Sequence, residues 1–400
     1  MKKYIVLLVI AIGFSWMNIY SQTADRYLIK AGILVNEKQY DKASEALVQS
    51  TSKENKNYLR FVAETEYGLK NYQKAIETYN KLEAENPGTY QLELSRCYAR
   101  LNNFPKAKEY LSSYFSQKNK LPISKIINDE AFASYKSSPE WQSIWQKADY
   151  SDVELKVNQL NTTADSRYTD YQNGIIDEGL KKYPSNPELL YHQSKYFLDN
   201  KMYDAAKKSI DKALTVKSGD KFFYLKAQIL QKNNNTKEAL QAVNDAIGRN
   251  PYSSVYYLTR IELNRSLGNT EAVNDDLQLI EFSIPDNSEV KLAKIKLEAD
   301  KGNYLTAIDG LDDLIATDQT HQNYYVLRGQ LKLKTQKLQD ADEDFGMALD
   351  LTPDDADANL GKAMAKMKLD DKAAACYYFQ KASNQGSREA LEYINKYCGK

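Results

Sequence analysis

Few residues of this 400-residue chain have the type and company to do chemistry. The two histidines, His192 and His321, stand in separate segments with no motif beside either. HExxH, GxSxG, a glycine-rich phosphate loop and CxxC are all missing from the sequence. A helix-borne zinc pair, a nucleophile elbow, a phosphate cradle and a redox dithiol therefore have no basis here. Carboxylates are abundant, 54 against 54 basic residues, but they are scattered as on solvated helix faces. DADANLG, from Asp355 to Gly361, imitates a calcium loop, with oxygens at Asp355, Asp357 and Asn359. Leu360 fills the place of the required glycine and Lys366 the place of the bidentate glutamate, so it reads as acidic residues at a helix N-terminus. No catalytic residue, metal ligand or cofactor is expected, and the protein is not expected to be an enzyme.

What remains is a surplus of tyrosine, 31 residues. Tyr191, Tyr224 and Tyr257 follow one another at 33-residue steps. Equal steps of that length point to repeated elements that would set such rings in a row.

The elements are visible in KQYDKASEAL (Lys38 to Leu47), NYQKAIETY (Asn71 to Tyr79), NTKEALQAV (Asn235 to Val243) and NYLTAIDGL (Asn303 to Leu311). A shared alanine aligns Ala43, Ala75, Ala107, Ala206, Ala239, Ala272, Ala307, Ala341 and Ala375, at steps of 32 to 35 and one of 99, three periods. Apolar residues around it recur at helical spacing, as in Ala341, Phe345, Ala348 and Leu349. An earlier helix in each period opens on a pair such as Leu190-Tyr191, Phe223-Tyr224, Tyr256-Tyr257 or Tyr324-Tyr325. Pro87, Pro251 and Pro353 fall twelve residues after their alanines, and Pro184 stands at the matching place; proline ends the second helix because it has no amide to donate. Two helices in about 34 residues cannot bury their apolar faces alone, so neighbouring pairs must stack. The alanine is small because helices approach closely there.

The unit resembles the tetratricopeptide repeat. That pattern has a small residue in the first helix, alanine early and late in the second, a bulky residue between them and a closing proline; Ala239, Val243, Ala246 and Pro251 match it, as do Gly329, Ala341, Phe345, Ala348 and Pro353. The resemblance covers nearly the whole chain. It implies an all-α, helical-hairpin solenoid, a right-handed superhelix of about nine to eleven repeats with a C-terminal capping helix. It further implies that Tyr191, Tyr224 and Tyr257, with Lys195 and Gln228 one turn on, face an inner groove. A protein or peptide partner held in that groove is the expected ligand, in a non-enzymatic scaffold. A carbohydrate- or cell-wall-binding module with tyrosines as sugar platforms is the alternative.

The expected organisation is a signal peptide over 1–22, a first repeat block over 23–118, a divergent joint over 119–170, a second block over 171–385 and a capping helix over 386–400. In the joint, Trp141 and Trp145 share a helix face, four residues apart; they read either as packing between two blocks or as an exposed docking site. The tail from Cys376 to Lys400 resembles the closing segment of exported bacterial tetratricopeptide proteins. In an antiparallel hairpin Cys376 and Cys398 differ by about 4 Å in height at about 1.5 Å per residue. A disulfide is feasible, and two small buried thiols are equally compatible with the sequence. Cys97 reads as packing.

Lys2 and Lys3 precede an apolar run from Tyr4 to Phe14 and then a more polar stretch, the layout of a secretory signal peptide. No cysteine stands at the cleavage point, as a lipoprotein would need. Loss of Lys2 and Lys3 leaves 52 basic against 54 acidic residues, a net charge of about −2. A basic stripe that could track phosphates is absent, so nucleic acid is not an expected partner. The mature chain is expected to be periplasmic or secreted, with no insertion into the membrane after cleavage. N-terminal sequencing of the exported product should begin near Gln22 or Thr23; an intact Met1 would refute cleavage.

Overall fold

The structure, a computed structural model, describes residues 25–117, 120–145, 148–162 and 169–399. The expected signal peptide, 1–22, lies outside the described residues. Helices account for all regular structure among them, with no strand. The chain falls into two units, one ending at Ile284 and one beginning at Pro285.

In the first unit, three hairpins come first: α1 (Arg26–Asn36) with α2 (Tyr40–Gln49), α3 (Lys56–Gly68) with α4 (Tyr72–Glu85), and α5 (Gln91–Arg100) with α6 (Phe104–Phe115). A joint follows, made of α7 (Ile123–Ile127), a 3-10 turn (Glu130–Tyr135) and α8 (Pro139–Trp145). Next, α9 (Asp152–Thr162) pairs with α10 (Thr169–Lys182), a hairpin that begins inside the region expected to be joint. Three regular hairpins then complete the unit: α11 (Pro187–Asp199) with α12 (Tyr203–Leu214), α13 (Asp220–Lys232) with α14 (Thr236–Arg249), and α15 (Ser254–Ser266) with α16 (Thr270–Ser283). The second unit holds α17 (Ser288–Asp300) with α18 (Tyr304–Thr317), α19 (Gln322–Lys334) with α20 (Leu338–Leu351), and α21 (Ala356–Lys368) with α22 (Lys372–Asn384). A short α23 (Arg388–Tyr393), extended by a π turn to Cys398, covers α22.

The small residue of each second helix lies in the tightest part of the interior. Ala43, Ala75, Ala107, Ala206, Ala239, Ala307, Ala341 and Ala375 are each at most 1% exposed. Ala272 is different: it is half-buried, and Val273 beside it is fully buried. Val273 stands 34 residues from both Ala239 and Ala307, and Pro285 falls twelve residues after it. The true register is thus one residue later than the shared alanine suggests, because burial selects a helix face and not an amino-acid type. Packing at the facing positions is just as close. The Phe345 ring lies against Gly329 and Gly361, where a Cβ would come within 2.9 and 2.3 Å of it.

A second period runs through the turns. Lys38, Lys70, Asn102, Lys201, Asn234, Gly268, Gly302, Gln336 and Asp370 all have positive φ and end first helices. The following amide closes back on the first helix, as Gln39 N does on Leu34 O at 2.8 Å and Asn235 N on Leu230 O at 2.8 Å. This is the Schellman arrangement. In seven of the nine the residue is not glycine, and each such position costs roughly 1–3 kcal/mol that the surrounding packing must offset.

The joint settles the two readings of its tryptophans. Trp141 is 4% exposed, with its ring 5.2 Å from Phe132 and 5.4 Å from Trp145; Trp145 is half-buried against Phe115 at 5.1 Å. They pack the joint. Beyond it the first unit departs from neighbour-only stacking, because α1 returns to lie on α16.

Ala239→Trp should wedge α13 and α14 apart at a cost of about 1–3 kcal/mol and lower the melting temperature followed by circular dichroism. Lys237→Trp on the exposed face of α14 should leave it unchanged. Equal melting curves for the two variants would contradict the packing account.

Candidate functional site

Neighbouring first helices approach one another, α1 with α3, α11 with α13 and α19 with α21, more closely than neighbouring second helices do. They therefore form the tighter, inner side of each array. The residues fifteen and eleven places before the small residue project from equivalent points on these helices. In α11 they are Tyr191 and Lys195, and in α13 Tyr224 and Gln228.

Tyr191 is half-buried, its ring edge-on to Phe222 at 5.5 Å, with Lys221 Nζ 4.9 Å above it. Lys221 is held there by Glu188 at 2.6 Å, and Lys217 reaches the same carboxylate at 2.8 Å. Burial alone would raise the Glu188 carboxyl, but the two lysines outweigh it and hold it below its usual range. Tyr224 is also half-buried; its hydroxyl meets Thr259 Oγ1 at 3.2 Å, and its ring lies 4.8 Å from Tyr256. The Tyr256 hydroxyl donates to Asp220 Oδ2 at 2.9 Å. Lys195 is exposed and Gln228 half-buried. These four residues lie on adjacent inner helices and offer two ring edges, a cation and an amide.

Tyr257 does not join them. It is 3% exposed, and its hydroxyl donates to the Pro251 carbonyl at 3.0 Å, so it packs between helices and cannot face a ligand. The one-residue register shift explains the difference: Leu258 and Glu262 hold the equivalent places in α15. Beneath them Arg260 forks onto Asp276, at 2.7 and 2.5 Å, and reaches Asn244 Oδ1 at 2.9 Å. Arg328 repeats the pattern in the second unit, forking onto Asp344 at 3.0 and 2.6 Å. Each pair fixes a first helix to its own second helix.

The same count backward finds inner residues that the tyrosine pattern could not. In α3 they are Arg60 and Glu64, and in α5 Leu92 and Arg96. Arg96 Nε donates to Asp129 Oδ2 at 2.6 Å. Burial pushes the Glu64 and Glu93 carboxyls up, against the pull of Arg60 and Arg96 respectively. In the second unit the equivalent places are mostly aliphatic: Leu292, Val326, Leu360 and Met364, with Lys296 and Gln330. The inner places thus differ in chemistry: charged in α3, a buried leucine with an arginine in α5, tyrosine and polar in α11 and α13, and mostly aliphatic in the second unit, where Leu292 and Val326 are buried.

Neither histidine is poised for catalysis. Burial holds the His192 imidazolium down to about 4, so the ring is neutral at neutral pH, and His321 stacks on Tyr324 at 4.0 Å. Among the described residues no group of three or more His, Cys, Asp or Glu could hold a metal ion. Cys376 and Cys398 are bonded, with Cα atoms 5.7 Å apart, and tie the capping segment to α22. Cys97 is a buried free thiol.

Two sequence models of the tetratricopeptide repeat match, one over residues 220–253 and one over 326–388. The helical hairpins repeat with the same register outside those spans. The chain is a tetratricopeptide-repeat protein. Solved structures of other repeat proteins share the fold. A tetratricopeptide repeat protein from Parabacteroides merdae is 18% identical, with a TM-score of 0.56, over 62% of this chain and 99% of that one. The Cut9–Hcn1 assembly of the APC/C is 13% identical, with a TM-score of 0.53, over 94% of this chain and 83% of that one. No curated protein matches the sequence.

The bond between Cys376 and Cys398 closes a loop of 22 residues in sequence, which corresponds to about 3 kcal/mol on the chain-entropy account. Cys398→Ser should lower the stability of the capping segment by roughly that amount in a denaturant melt. Reductant should do the same to the wild type and nothing further to the variant. Equal stability of the oxidised and reduced wild type would show that the bond holds nothing.

Proposed function

We propose that the protein is a non-enzymatic scaffold of the bacterial cell envelope that holds an extended segment of a protein partner against the inner faces of its first helices. The observation that carries this reading is the pair Tyr191 and Tyr224, 33 residues apart on adjacent inner helices. Each ring is partly exposed and held by neighbours, Tyr191 by Phe222 and Lys221 and Tyr224 by Tyr256. A half-exposed ring fixed by its neighbours offers apolar area at little further cost in entropy, while Lys195 and Gln228 supply polar groups that can orient a peptide backbone. Catalysis is not part of this reading, since among the described residues the inner positions named above bring together no nucleophile, base and orienting group. A cleaved signal peptide would place the scaffold in the periplasm or outside the cell. The near-zero net charge favours a protein partner over nucleic acid.

Photo-crosslinking from the Gln228 position in cells, followed by mass spectrometry, should capture envelope proteins through short extended segments. A peptide made from such a segment should bind the purified protein in fluorescence anisotropy, and Tyr224→Ala should weaken it by about 1–2 kcal/mol or more. Saturable binding to purified glycan, lost on Tyr224→Ala and unaccompanied by any peptide binding, would replace this reading with that of a sugar-binding module.

A further inference from the structure

The contact between the first hairpin and the 254–283 hairpin has no counterpart in a linear array. α1 is a first helix, and it packs on the second helix α16 as α13 packs on α12 and α15 on α14. The first hairpin of the chain therefore stacks on the 254–283 hairpin as though it came next in order. Its other side is joined in the ordinary way to α3, which both α1 and α2 touch. Followed through the joint, where α6 meets α8, Ile126 of α7 shares one core with Phe115 of α6 and Trp141 of α8, α7 meets α9 and α9 meets α10, the contacts of the first unit form a closed circuit.

The seam that closes the circuit has a small, close-packed aromatic centre and a polar border. At the centre Tyr252 sits on Gly32, where a Cβ would come within 2.5 Å of its ring and 2.6 Å of Phe61; the rings of Phe61 and Tyr252 meet edge-on at 4.6 Å. At the border Asn36 Nδ2 donates to the Tyr252 carbonyl at 2.7 Å, and Ser254 Oγ donates to Glu37 Oε1 at 2.8 Å. Tyr27 meets Phe282 edge-on at 5.4 Å, with Lys30 Nζ 4.1 Å above the same ring. The first hairpin keeps its stacking on α3 whether or not the seam is closed. Asp25 caps α1 and also accepts from Ser50 Oγ at 2.6 Å and Thr51 N at 2.8 Å, all within the hairpin and the turn after it. Opening the seam thus breaks no hydrogen bond within a hairpin.

We propose that this seam is a clasp: it opens as a unit, with every hairpin still folded, and turns the closed circuit of the first unit into an open array. Closed, the circuit shields its inner face and admits a chain end only by threading. Open, it admits an internal segment of a partner from the side. The clasp itself is independent of the function proposed above; only its use as an entry for a partner rests on that reading.

The test uses the full chain with Glu45→Cys on α2 and Gln278→Cys on α16, both exposed, carrying spin labels for pulsed dipolar distance measurement without any ligand. Cys97 can remain, since it is buried and burial pushes its thiol up to about 12. The parent should give one narrow distance, with an open form of about a tenth or less. Gly32→Leu should make a longer distance the majority while far-ultraviolet circular dichroism is unchanged. The milder pair Asn36→Ala and Ser254→Ala should raise the long-distance fraction several-fold. An unchanged narrow distance in both variants, or loss of helix in step with the longer distance in both, would overturn the clasp. A separate variant with Glu37→Cys and Ser254→Cys, at side chains that meet across the seam, should when crosslinked slow binding of the captured peptide. Equal rates in the locked and free forms would refute the entry role, whereas no binding in either form would count against the peptide reading and leave the distances to decide the clasp.

Discussion

Every regular hairpin here depends on one close approach, that of a second helix to its neighbours at a position where the side chain is alanine or valine. Helices of 10 to 14 residues are marginal by themselves in water, and each carries an apolar stripe it cannot bury against its own partner alone. Stacking removes that stripe from water only if the helix axes come close, and closeness is set by the smallest residue at the contact. Ala239, Val273 and Ala341 set it on one side and Gly329 and Gly361 on the other, with Phe345 filling the space between the two glycines. Once that spacing is imposed, the strained turns are held, since a lysine or asparagine with positive φ persists where the helices on both sides leave no alternative. The forked pairs Arg260 with Asp276 and Arg328 with Asp344 then fix the rotation of a first helix against its second.

The repeat leaves the inner positions free to vary, and this protein varies them by region. Packing constrains the small residue, its facing partners and the turn, whereas the inner positions of the first helices range from buried, as at Leu92 and Val326, to exposed, as at Lys195. Charge occupies them in α3, leucine and arginine in α5, partly exposed tyrosine in α11 and α13, and mostly aliphatic side chains in the second unit. A binding surface can therefore change its chemistry without disturbing the scaffold. The clasp between α1 and α16 adds a second kind of control, over access to such a surface, through contacts between residues some 216 positions apart.

Much of this was legible in the sequence. The alanine period, the closing prolines and the alternation of helix and turn give the hairpins and nearly all of their buried positions. The misreadings share one cause. Ala272 was aligned because it is an alanine, although its neighbour Val273 faces inward; that slip of one residue carried Tyr257 into the groove and hid Pro285. On a helix one residue is about 100° of rotation, enough to exchange an inner side chain for a buried one. The period in the turns went unseen for a related reason, because lysine, asparagine, glutamine, aspartate and glycine all fill the same conformation.

The sequence by itself determined the local unit: its length, its two helices, the face each buries and the places where it must stop. It could do so because those features rest on contacts between residues at most one period apart, and such contacts recur in every repeat. Tertiary structure alone decided which tyrosine is a surface and which is core, that Trp141 packs a joint, that Cys376 meets Cys398, and that the first hairpin closes on the 254–283 hairpin. These outcomes depend on small rotations summed over many hairpins and on single contacts made once. A period repeated along the chain records nothing about a contact that occurs only once.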